Sequence, residues 1–318
     1  MNRLEGAAAR EDGSHGSNAT AKPPNAAARA EGSVDAELFS EVAYAYDDTL
    51  EGLLTAIFEA YARHENPTDI APDRTLQLRL GQRVARIETC IGTADRVRRS
   101  LCERCGREAY EAVASCALSD EVGAGTVAYR FVRHALPATP RTDAERRRAR
   151  RAIADIAHPV VEPVVRIHRA VMNERHRMQQ FLRFEHLEGD VWFARCNPNA
   201  SVVPLLMDYF SARFNTQPFV IYDENHAIAG VYARRDWRLV RTDGLNLPAR
   251  AVDEAVMQEA WRAFYRAVSI DARYHPELRR QFMPKRLWKN LTEMQEGPSG
   301  SMAERTLPSV SAEQLPAG

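Results

Sequence analysis

The sequence predicts an α+β protein, predominantly helical, with an antiparallel sheet of about five strands in its second half. Two changes in the spacing of apolar residues support this prediction. Helical spacing runs through most of the first half of the chain, alternation replaces it between residues 181 and 241, and helical spacing returns from residue 252. Helices that are segregated from an antiparallel sheet are typical of the α+β class.

Composition narrows the class of protein further. Of the 318 residues, 45% are hydrophobic, which is enough apolar material for a buried core. The 43 basic and 43 acidic residues cancel, so attraction to nucleic acid must come from local patches. No stretch approaches the roughly 20 apolar residues of a membrane span. The first residues also lack the apolar core of a signal peptide. We therefore expect a cytoplasmic protein without a membrane partner.

The distribution of apolar residues predicts five segments. Residues 1–40 and 297–318 lack apolar periodicity, so we expect a disordered leader and a disordered tail. Residues 41–136 are predicted to form an N-terminal helical region, and residues 137–152 an arginine-rich linker. Residues 153–296 are predicted to form an α+β region that makes one globular domain together with residues 41–136.

The helical region is predicted from capping residues and apolar spacing. Asp47, Asp48 and Thr49 are suited to capping a helix that begins near Leu50. Leucine, isoleucine and aromatic side chains then recur at i, i+3, i+4 and i+7 as far as Tyr61, which indicates one buried face. A proline-containing loop follows. Further helices are predicted over residues 81–91, 94–115 and 122–134.

The arginine-rich segment has two interpretations. Two prolines precede a run in which arginine occupies most positions, namely Arg146, Arg147, Arg148, Arg150 and Arg151. Arginines that neutralise phosphates release counterions, so the run could contact nucleic acid. Charge runs are also common in solvated linkers that enter a helix. A helix is predicted to follow, over about residues 164–180.

The second half is predicted to hold the sheet. Residues 181–198 read as a hairpin that turns at residues 188–190, and a helix passes through Leu206, Phe210 and Phe214. Residues 217–241 supply three further strands, with turns near residues 224–226 and 234–236. Closing helices are predicted over residues 252–268, 276–280 and 284–293.

The five cysteines indicate free thiols. Their odd number and scattered positions are typical of a reducing compartment. Cys102 and Cys105 form a CxxC pair, but no second pair or histidine at ligand spacing accompanies them. Two cysteines at i and i+3 also share one packed face of a helix. We therefore predict no metal site and no cofactor.

Four sequence blocks carry a resemblance to a known family. They are, in chain order, YDDTLEGLLTAIFEAY, HRMQQFLRFEHL, ARCNPNASVVPLLMDYFSARFNTQPFVIYD and QFMPKRLWKNLTEM. On these blocks the chain, from about Tyr44 to Met294, resembles the DNA metabolism protein family of the domain of unknown function 4130. The resemblance implies a DNA repair accessory protein that is associated with a radical S-adenosylmethionine (radical SAM) protein. The sequence has no CxxxCxxC cluster, so this chain would be the accessory partner.

Candidate anion-binding residues lie in the predicted hairpin. Strand alternation puts Arg183 and Glu185 on one face, and the hairpin register could bring Arg195 beside Arg183. Two arginines near His176, at the end of the preceding helix, would suit an anionic ligand or a phosphate backbone. Alternatively, an arginine–glutamate pair joins the sheet to a helix.

Two further sets of polar residues are candidates. Asp223 ends a predicted strand, where a carboxylate serves either as an acid or base or as a turn former. Lys285 and Arg286 lie beside Trp288, and basic residues around an aromatic ring resemble a nucleic-acid contact. The alternative for Lys285 and Arg286 is a packed C-terminal helix with its basic residues in water.

Three hypotheses of function follow. The first is a DNA repair accessory factor that binds DNA through Arg183, Arg195, Lys285 and Arg286 and acts with a radical SAM partner. The second is a stand-alone enzyme acting on nucleic acid, with His176, Glu185 or Asp223 as acid or base in a cleft between sheet and helix. The third is a scaffold that joins other proteins. Known nucleotide-binding and hydrolase motifs are absent from the sequence.

Overall fold

The computed structural model describes residues 41–136, 142–270 and 275–295. These residues divide into two compact units. The N-terminal unit comprises residues 41–176 and Asn199–Val202, and the C-terminal unit comprises Arg177–Pro198 and the described residues from Val203 onward. The boundary at His176 falls within a helix, and not in the arginine-rich segment where the sequence analysis placed a linker.

Helices make up most of the N-terminal unit. They are α1 (Leu50–Ala62), α2 (Ile91–Arg104), α3 (Arg107–Ala117), α4 (Ala124–Ala135), α5 (Asp143–Arg151) and α6 (Val161–Phe181), of which α6 continues into the C-terminal unit. The predicted cap of α1 is confirmed, because the Thr49 side chain accepts a hydrogen bond from the Gly52 N–H. Leu53 and Ile57 of α1 are buried together with Phe131 of α4.

The N-terminal unit also contains a sheet that the sequence analysis missed. Strands β1 (Glu41–Tyr46), β2 (Asp69–Pro72) and β3 (Gln82–Arg86) pair in parallel, in the order β2-β1-β3. The predicted loop around β2 and the predicted helix over residues 81–91 were therefore wrong. Burial does not alternate along these three strands, and β2 and β3 pair in parallel with the distant β1, so no hairpin turn marks them in the sequence.

The predicted helix over residues 94–115 is two helices. Gly106 separates α2 from α3 and has a φ of 94°, a backbone conformation that side chains with a Cβ rarely adopt. The helix predicted over residues 122–134 is confirmed as α4. Gly125 lets α4 approach β2 closely, since a Cβ there would lie 2.4 Å from the Ile70 carbonyl oxygen.

The arginine-rich segment is helical over its described residues. A capping box begins α5: Thr142 Oγ1 accepts from the Glu145 N–H, and Glu145 accepts from the Thr142 N–H. Ala149 and Ala152 are buried and hold this segment on the N-terminal unit. The expectation of a linker fails for residues 142–151, because capping and the two alanines stabilise a helix. Residues 137–141 of the predicted linker lie outside the described residues.

The C-terminal unit confirms the predicted five-stranded sheet. Its strands are β4 (Phe184–Leu187), β5 (Val191–Cys196), β6 (Phe219–Asp223), β7 (Ile228–Ala233) and β8 (Asp236–Arg241), in sequential order across the sheet. The β5–β6 pair is parallel and the other three pairs are antiparallel. The exception arises because helix α7 (Val203–Arg213) joins β5 to β6 as a crossover.

Helix α7 packs against one face of this sheet through aromatic residues. The ring of Phe184 contacts those of Phe210 and Phe219, with centroid separations of 5.3 Å and 5.8 Å. Gly230 allows a close approach on the same face, because a Cβ at this position would lie 2.3 Å from Met207 Sδ. The core of the unit therefore lies between α7 and the sheet.

Helices α8 (Glu254–Val268) and α9 (Pro276–Phe282) follow the sheet, as predicted. The helix predicted over residues 284–293 is instead two 3₁₀ segments, Lys285–Asn290 and Thr292–Met294. The tighter winding buries Leu287 and Leu291. Within the described residues, no helix combines the length and apolar character needed to cross a membrane.

Candidate functional site

The turn between β6 and β7 holds a hydrogen-bonded aspartate–histidine pair. Asp223 Oδ1 accepts hydrogen bonds from the backbone N–H groups of Asn225 (2.9 Å) and His226 (3.3 Å). Asp223 Oδ2 accepts from His226 Nδ1 at 2.6 Å. The two side chains are 0% and 7% exposed, respectively. Asp223 thus organises the turn and holds the histidine, and its burial limits access to solvent or substrate.

Sequence reasoning identified Asp223 but missed His226. The sequence signal that could have identified His226 is its position three residues after the hydrogen-bond acceptor Asp223 at the end of a strand. This spacing suits a turn in which the two side chains hydrogen-bond to each other. Both carboxylate oxygens of Asp223 accept hydrogen bonds within the turn. Of the two interpretations of Asp223, these contacts favour the turn former over the catalytic group.

Three sequence-distant segments meet beside this turn. The side chain of Asn225 donates to the Pro198 carbonyl at 2.8 Å. Arg286 Nη1 donates to the Asn197 carbonyl at 3.1 Å, and Asn290 Nδ2 donates to Asn197 Oδ1 at 2.9 Å. The end of β5, the β6–β7 turn and the 3₁₀ segment are therefore held together by side-chain amides and an arginine.

Glu224 connects two cations at this junction. Its carboxylate accepts from Arg195 Nη1 at 3.2 Å and from Lys289 Nζ at 2.7 Å. Partial burial would raise the pKa of Glu224, but hydrogen bonding and the charges of Lys289 and Arg195 lower it below its ordinary value. Glu224 therefore stays ionised and fixes both cations at the surface.

Trp288 lies among further cations of the same segment. The Arg279 guanidinium carbon is 4.9 Å from the ring centroid, and Lys285 Nζ is 6.0 Å from it. We define the basic cluster by the cations that gather around Trp288 and the Asn197 loop, namely Arg195, Arg279, Lys285, Arg286 and Lys289. Three of the four predicted anion-binding residues, Arg195, Lys285 and Arg286, belong to it.

Arg183, the fourth predicted anion-binding residue, forms an ion pair with a carboxylate outside the basic cluster. Its guanidinium pairs with Glu293 at 2.6 Å, and Trp261 Nε1 donates to the same carboxylate at 3.0 Å. Burial would raise the pKa of Glu293, but the hydrogen bonds from Arg183 and Trp261 lower it. Arg183 and Arg195 therefore pair with different carboxylates, and a site formed by the two arginines stays a prediction.

Glu185 has a different partner from the one that the sequence suggested. It was expected to project with Arg183, but it accepts from Arg250 Nε at 2.6 Å. Arg183 precedes β4, which begins at Phe184, so strand alternation does not apply to it. His176 is exposed. The roles of His176, Glu185 and Asp223 as acid or base stay predictions.

The arginines of α5 form a second cationic surface. All five are exposed, and Arg146 pairs with Asp143 at 3.2 Å. Within the described part of the chain, Arg147, Arg148, Arg150 and Arg151 form no ion pair. The buried Ala149 fixes the opposite side of the helix, so these four guanidiniums face solvent.

The CxxC cysteines lie at the end of a helix. Cys102 is half-buried in α2, and Cys105 is its buried C-cap residue, whose Sγ donates to the Ala135 carbonyl at 3.6 Å. Among the residues that the structure describes, no group of three or more His, Cys, Asp or Glu side chains is arranged to hold a metal ion. The expectation of no metal site stays a prediction.

The family model described as a domain of unknown function (DUF4130) matches residues 124–293. The chain belongs to this family. The match spans more than half of the 318 residues and includes both α5 and the basic cluster. It leaves out the parallel sheet and helices α1–α3, so the first of the four resembling blocks lies outside the match. Comparison with curated proteins gives no match.

Proposed function

We propose that this DUF4130 protein is an accessory factor of DNA metabolism that binds nucleic acid through its basic cluster and acts with a radical SAM partner. The observation that supports nucleic-acid binding is the gathering of Arg195, Lys285, Arg286 and Lys289 around Trp288, Glu224 and the Asn197 loop. The radical SAM partner rests on the family resemblance alone.

The chemistry of the basic cluster suits a phosphate backbone. Lysine and arginine side chains that neutralise phosphates displace condensed counterions, which supplies most of the affinity of such contacts. Trp288 lies half-buried between Arg279 and Lys285, so an aromatic ring accompanies the cations as it does in single-strand binding grooves. Glu224 keeps Arg195 and Lys289 in place without neutralising the whole cluster.

The arginine surface of α5 adds a second set of phosphate contacts to the proposal. Its four solvent-facing guanidiniums occupy little more than one helical turn, which concentrates positive charge on a molecule whose net charge is zero. The N-terminal and C-terminal units therefore each carry a cationic surface that could follow a nucleic-acid strand.

Binding of labelled single-stranded and duplex DNA across a salt series tests the proposal. We expect Lys285→Ala combined with Lys289→Ala to weaken binding. The slope of log affinity against log salt concentration should become shallower by the amount that corresponds to about one to two lost phosphate contacts. A matched control replaces Arg79 and Arg86, two exposed arginines that pair with Asp69 and Asp73, by alanine. Equal losses in both double variants, or no loss in the first, would contradict the assignment.

The contribution of α5 is measured separately. Replacing Arg147 and Arg150 by glutamine removes two charges and keeps the helix, since glutamine has a helix propensity close to that of arginine. We expect a further loss of affinity and salt dependence, with an unchanged circular dichroism spectrum. Unaltered binding would restrict the interface to the basic cluster.

The radical SAM partner is tested by affinity purification of the full chain from its native cell under anaerobic conditions. Co-purification of an iron–sulfur protein with a CxxxCxxC motif supports the proposal. Recovery of the chain with DNA and without such a protein would retain the nucleic-acid function and reject the partner.

A further inference from the structure

A groove lies between the C-terminal end of α8 and helix α9. Its walls contain four accessible apolar residues, Val268, Ile270, Leu278 and Phe282. Phe282 is the most exposed of these, at 68%. The volume of the groove is 420 Å³. This lies within the range of about 300 to 1,000 Å³ that is typical of sites for small ligands.

The same groove contains hydrogen-bonding groups. Ser269, His275 and Arg279 complete its lining. His275 Nδ1 accepts from the Leu278 N–H at 3.2 Å. In the neutral ring the proton is therefore on Nε2, which can donate to a ligand. Apolar walls with a few polar groups are typical of small-molecule sites.

Arg279 joins the groove to the basic cluster. It lines the groove, and its guanidinium carbon is also 4.9 Å from the centroid of the Trp288 ring. Trp288 Nε1 donates to the carbonyl of Met283 at 3.0 Å, and Met283 follows Phe282 directly in the chain. The aromatic wall of the groove and the aromatic ring of the basic cluster are therefore connected by one short segment.

We propose that this groove binds an unpaired nucleobase of a strand whose phosphates contact the basic cluster, so that the ligand of the protein is single-stranded nucleic acid. This proposal rests on the nucleic-acid binding proposed above and adds the class of strand. The base stacks on Phe282, and Ser269 and His275 supply hydrogen bonds to its edge. A base within a duplex is stacked on both faces and paired along its edge, so it has to leave the helix before it can enter such a site.

The lining of the groove favours a nucleobase over a protein segment. Among the described residues, no carboxylate lines the groove, and Arg279 and Lys285 lie on the Trp288 ring beside it. A polyanion is therefore attracted to this place. An apolar side chain would fill the walls but would leave the polar groups of Ser269 and His275 without water or a partner, which costs free energy. A nucleobase suits both parts of the lining, because it has apolar faces and a hydrogen-bonding edge.

Fluorescence anisotropy with two labelled strands tests the proposal on the full chain. One strand is a short oligothymidine, and the other is an abasic strand with the same number of phosphates. We expect the oligothymidine to bind about tenfold more tightly, because base–aromatic stacking adds to the phosphate contacts. Equal affinities would overturn the base site and retain phosphate binding by the basic cluster. Failure to bind either strand would overturn both proposals.

The variant Phe282→Ala assigns the base to the groove. We expect it to bind both strands with the affinity of the abasic strand, and to keep the slope of log affinity against log salt concentration, because no charge is removed. Phe282→Trp should keep the preference for oligothymidine, since an indole ring also stacks on bases. Persistence of the full preference in Phe282→Ala would overturn the proposal.

A matched control removes another exposed aromatic side chain of the same unit. Phe264 of α8 is 56% exposed and does not line the groove. We expect Phe264→Ala to bind both strands as the unchanged protein does, and melting curves should show that each variant remains folded. A loss of preference in Phe264→Ala as large as that in Phe282→Ala would contradict a specific role of the groove and overturn the proposal.

Discussion

At the scale of single residues, the Arg183–Glu293 ion pair makes the clearest prediction. The Glu293 side chain is 2% exposed, so removing Arg183 leaves a buried carboxylate without its cation. We expect Arg183→Ala to lower the free energy of unfolding by roughly 3 kcal/mol. Urea denaturation measures this loss, and DNA binding by the folded variant should be unchanged. Arg250→Ala, which breaks the exposed pair with Glu185, should cost less than about 1 kcal/mol.

The same pair predicts a pH dependence. Although burial raises the pKa of Glu293, hydrogen bonds from Arg183 and Trp261 lower it below its ordinary value of 4.5. A carboxyl whose folded pKa is lowered stabilises the fold above the unfolded pKa, and this stability is lost as pH falls through the folded pKa. In Arg183→Ala, burial still raises the pKa of Glu293, but the hydrogen bond from Arg183 no longer lowers it. The loss of stability on acidification should therefore begin at a higher pH in this variant. Denaturation curves at several pH values compare the two proteins, and coincident declines would contradict this account.

Cys90 is predicted to be the most reactive thiol of the described residues. Hydrogen bonds from the Thr93 side chain and backbone lower the pKa of this exposed thiol. Burial raises the pKa of Cys105 to about 11 and that of Cys116 to about 12. We expect iodoacetamide to label Cys90 first in the native protein, as mass spectrometry of timed samples would show. Earlier labelling of Cys105 or Cys116 would contradict the structure.

At the scale of secondary-structure elements, the β7–β8 turn is strained. Arg234 and Arg235 occupy the two turn positions with φ of 53° and 66°, where asparagine and glycine are preferred. Left-handed backbone costs an ordinary residue about 1 kcal/mol. We therefore expect Arg234→Asn with Arg235→Gly to raise the melting temperature, measured by calorimetry. A fall in melting temperature would show that the arginine side chains contribute more stability than the strain removes.

The elements differ in how far sequence predicts them. Helix α1 was predicted because Thr49 caps it and its apolar residues recur over three turns. Strands β2 and β3 were missed because burial does not alternate along them, and because parallel pairing depends on a partner at residues 41–46 and leaves no hairpin turn in the sequence. Helix α5 was taken for a linker because arginine-rich sequences suit both solvated coil and a solvent-facing helix.

At the scale of the whole molecule, the terminal segments make a further prediction. Residues 1–40 and 297–318 lack apolar periodicity and lie outside the described residues. We expect a chain trimmed to residues 41–296 to melt within about 3 °C of the full chain, because neither segment has the apolar periodicity needed to join a core. Calorimetry of both chains measures the difference. A drop of many degrees would show that one of the segments packs against the fold.

The charge balance also belongs to this scale. A net charge of zero excludes strong attraction of the whole molecule to DNA. The cations are nevertheless concentrated on α5 and in the basic cluster, so attraction is local. Sequence alone located the arginine run, which is contiguous, and it named Arg195, Lys285 and Arg286 separately. Their proximity depends on the pairing of β5 with β6 and on the Asn197 contacts.

The sequence by itself determined the fold class and the five strands of the C-terminal sheet, because these depend on residues that are neighbours along the chain. Tertiary structure decided which charges meet. Arg183 and Glu293 are separated by more than a hundred residues, yet they form one ion pair, and Arg195 meets Glu224 across neighbouring strands. Ion pairs depend on distances of a few ångströms between folded segments, and sequence spacing carries no information on such distances.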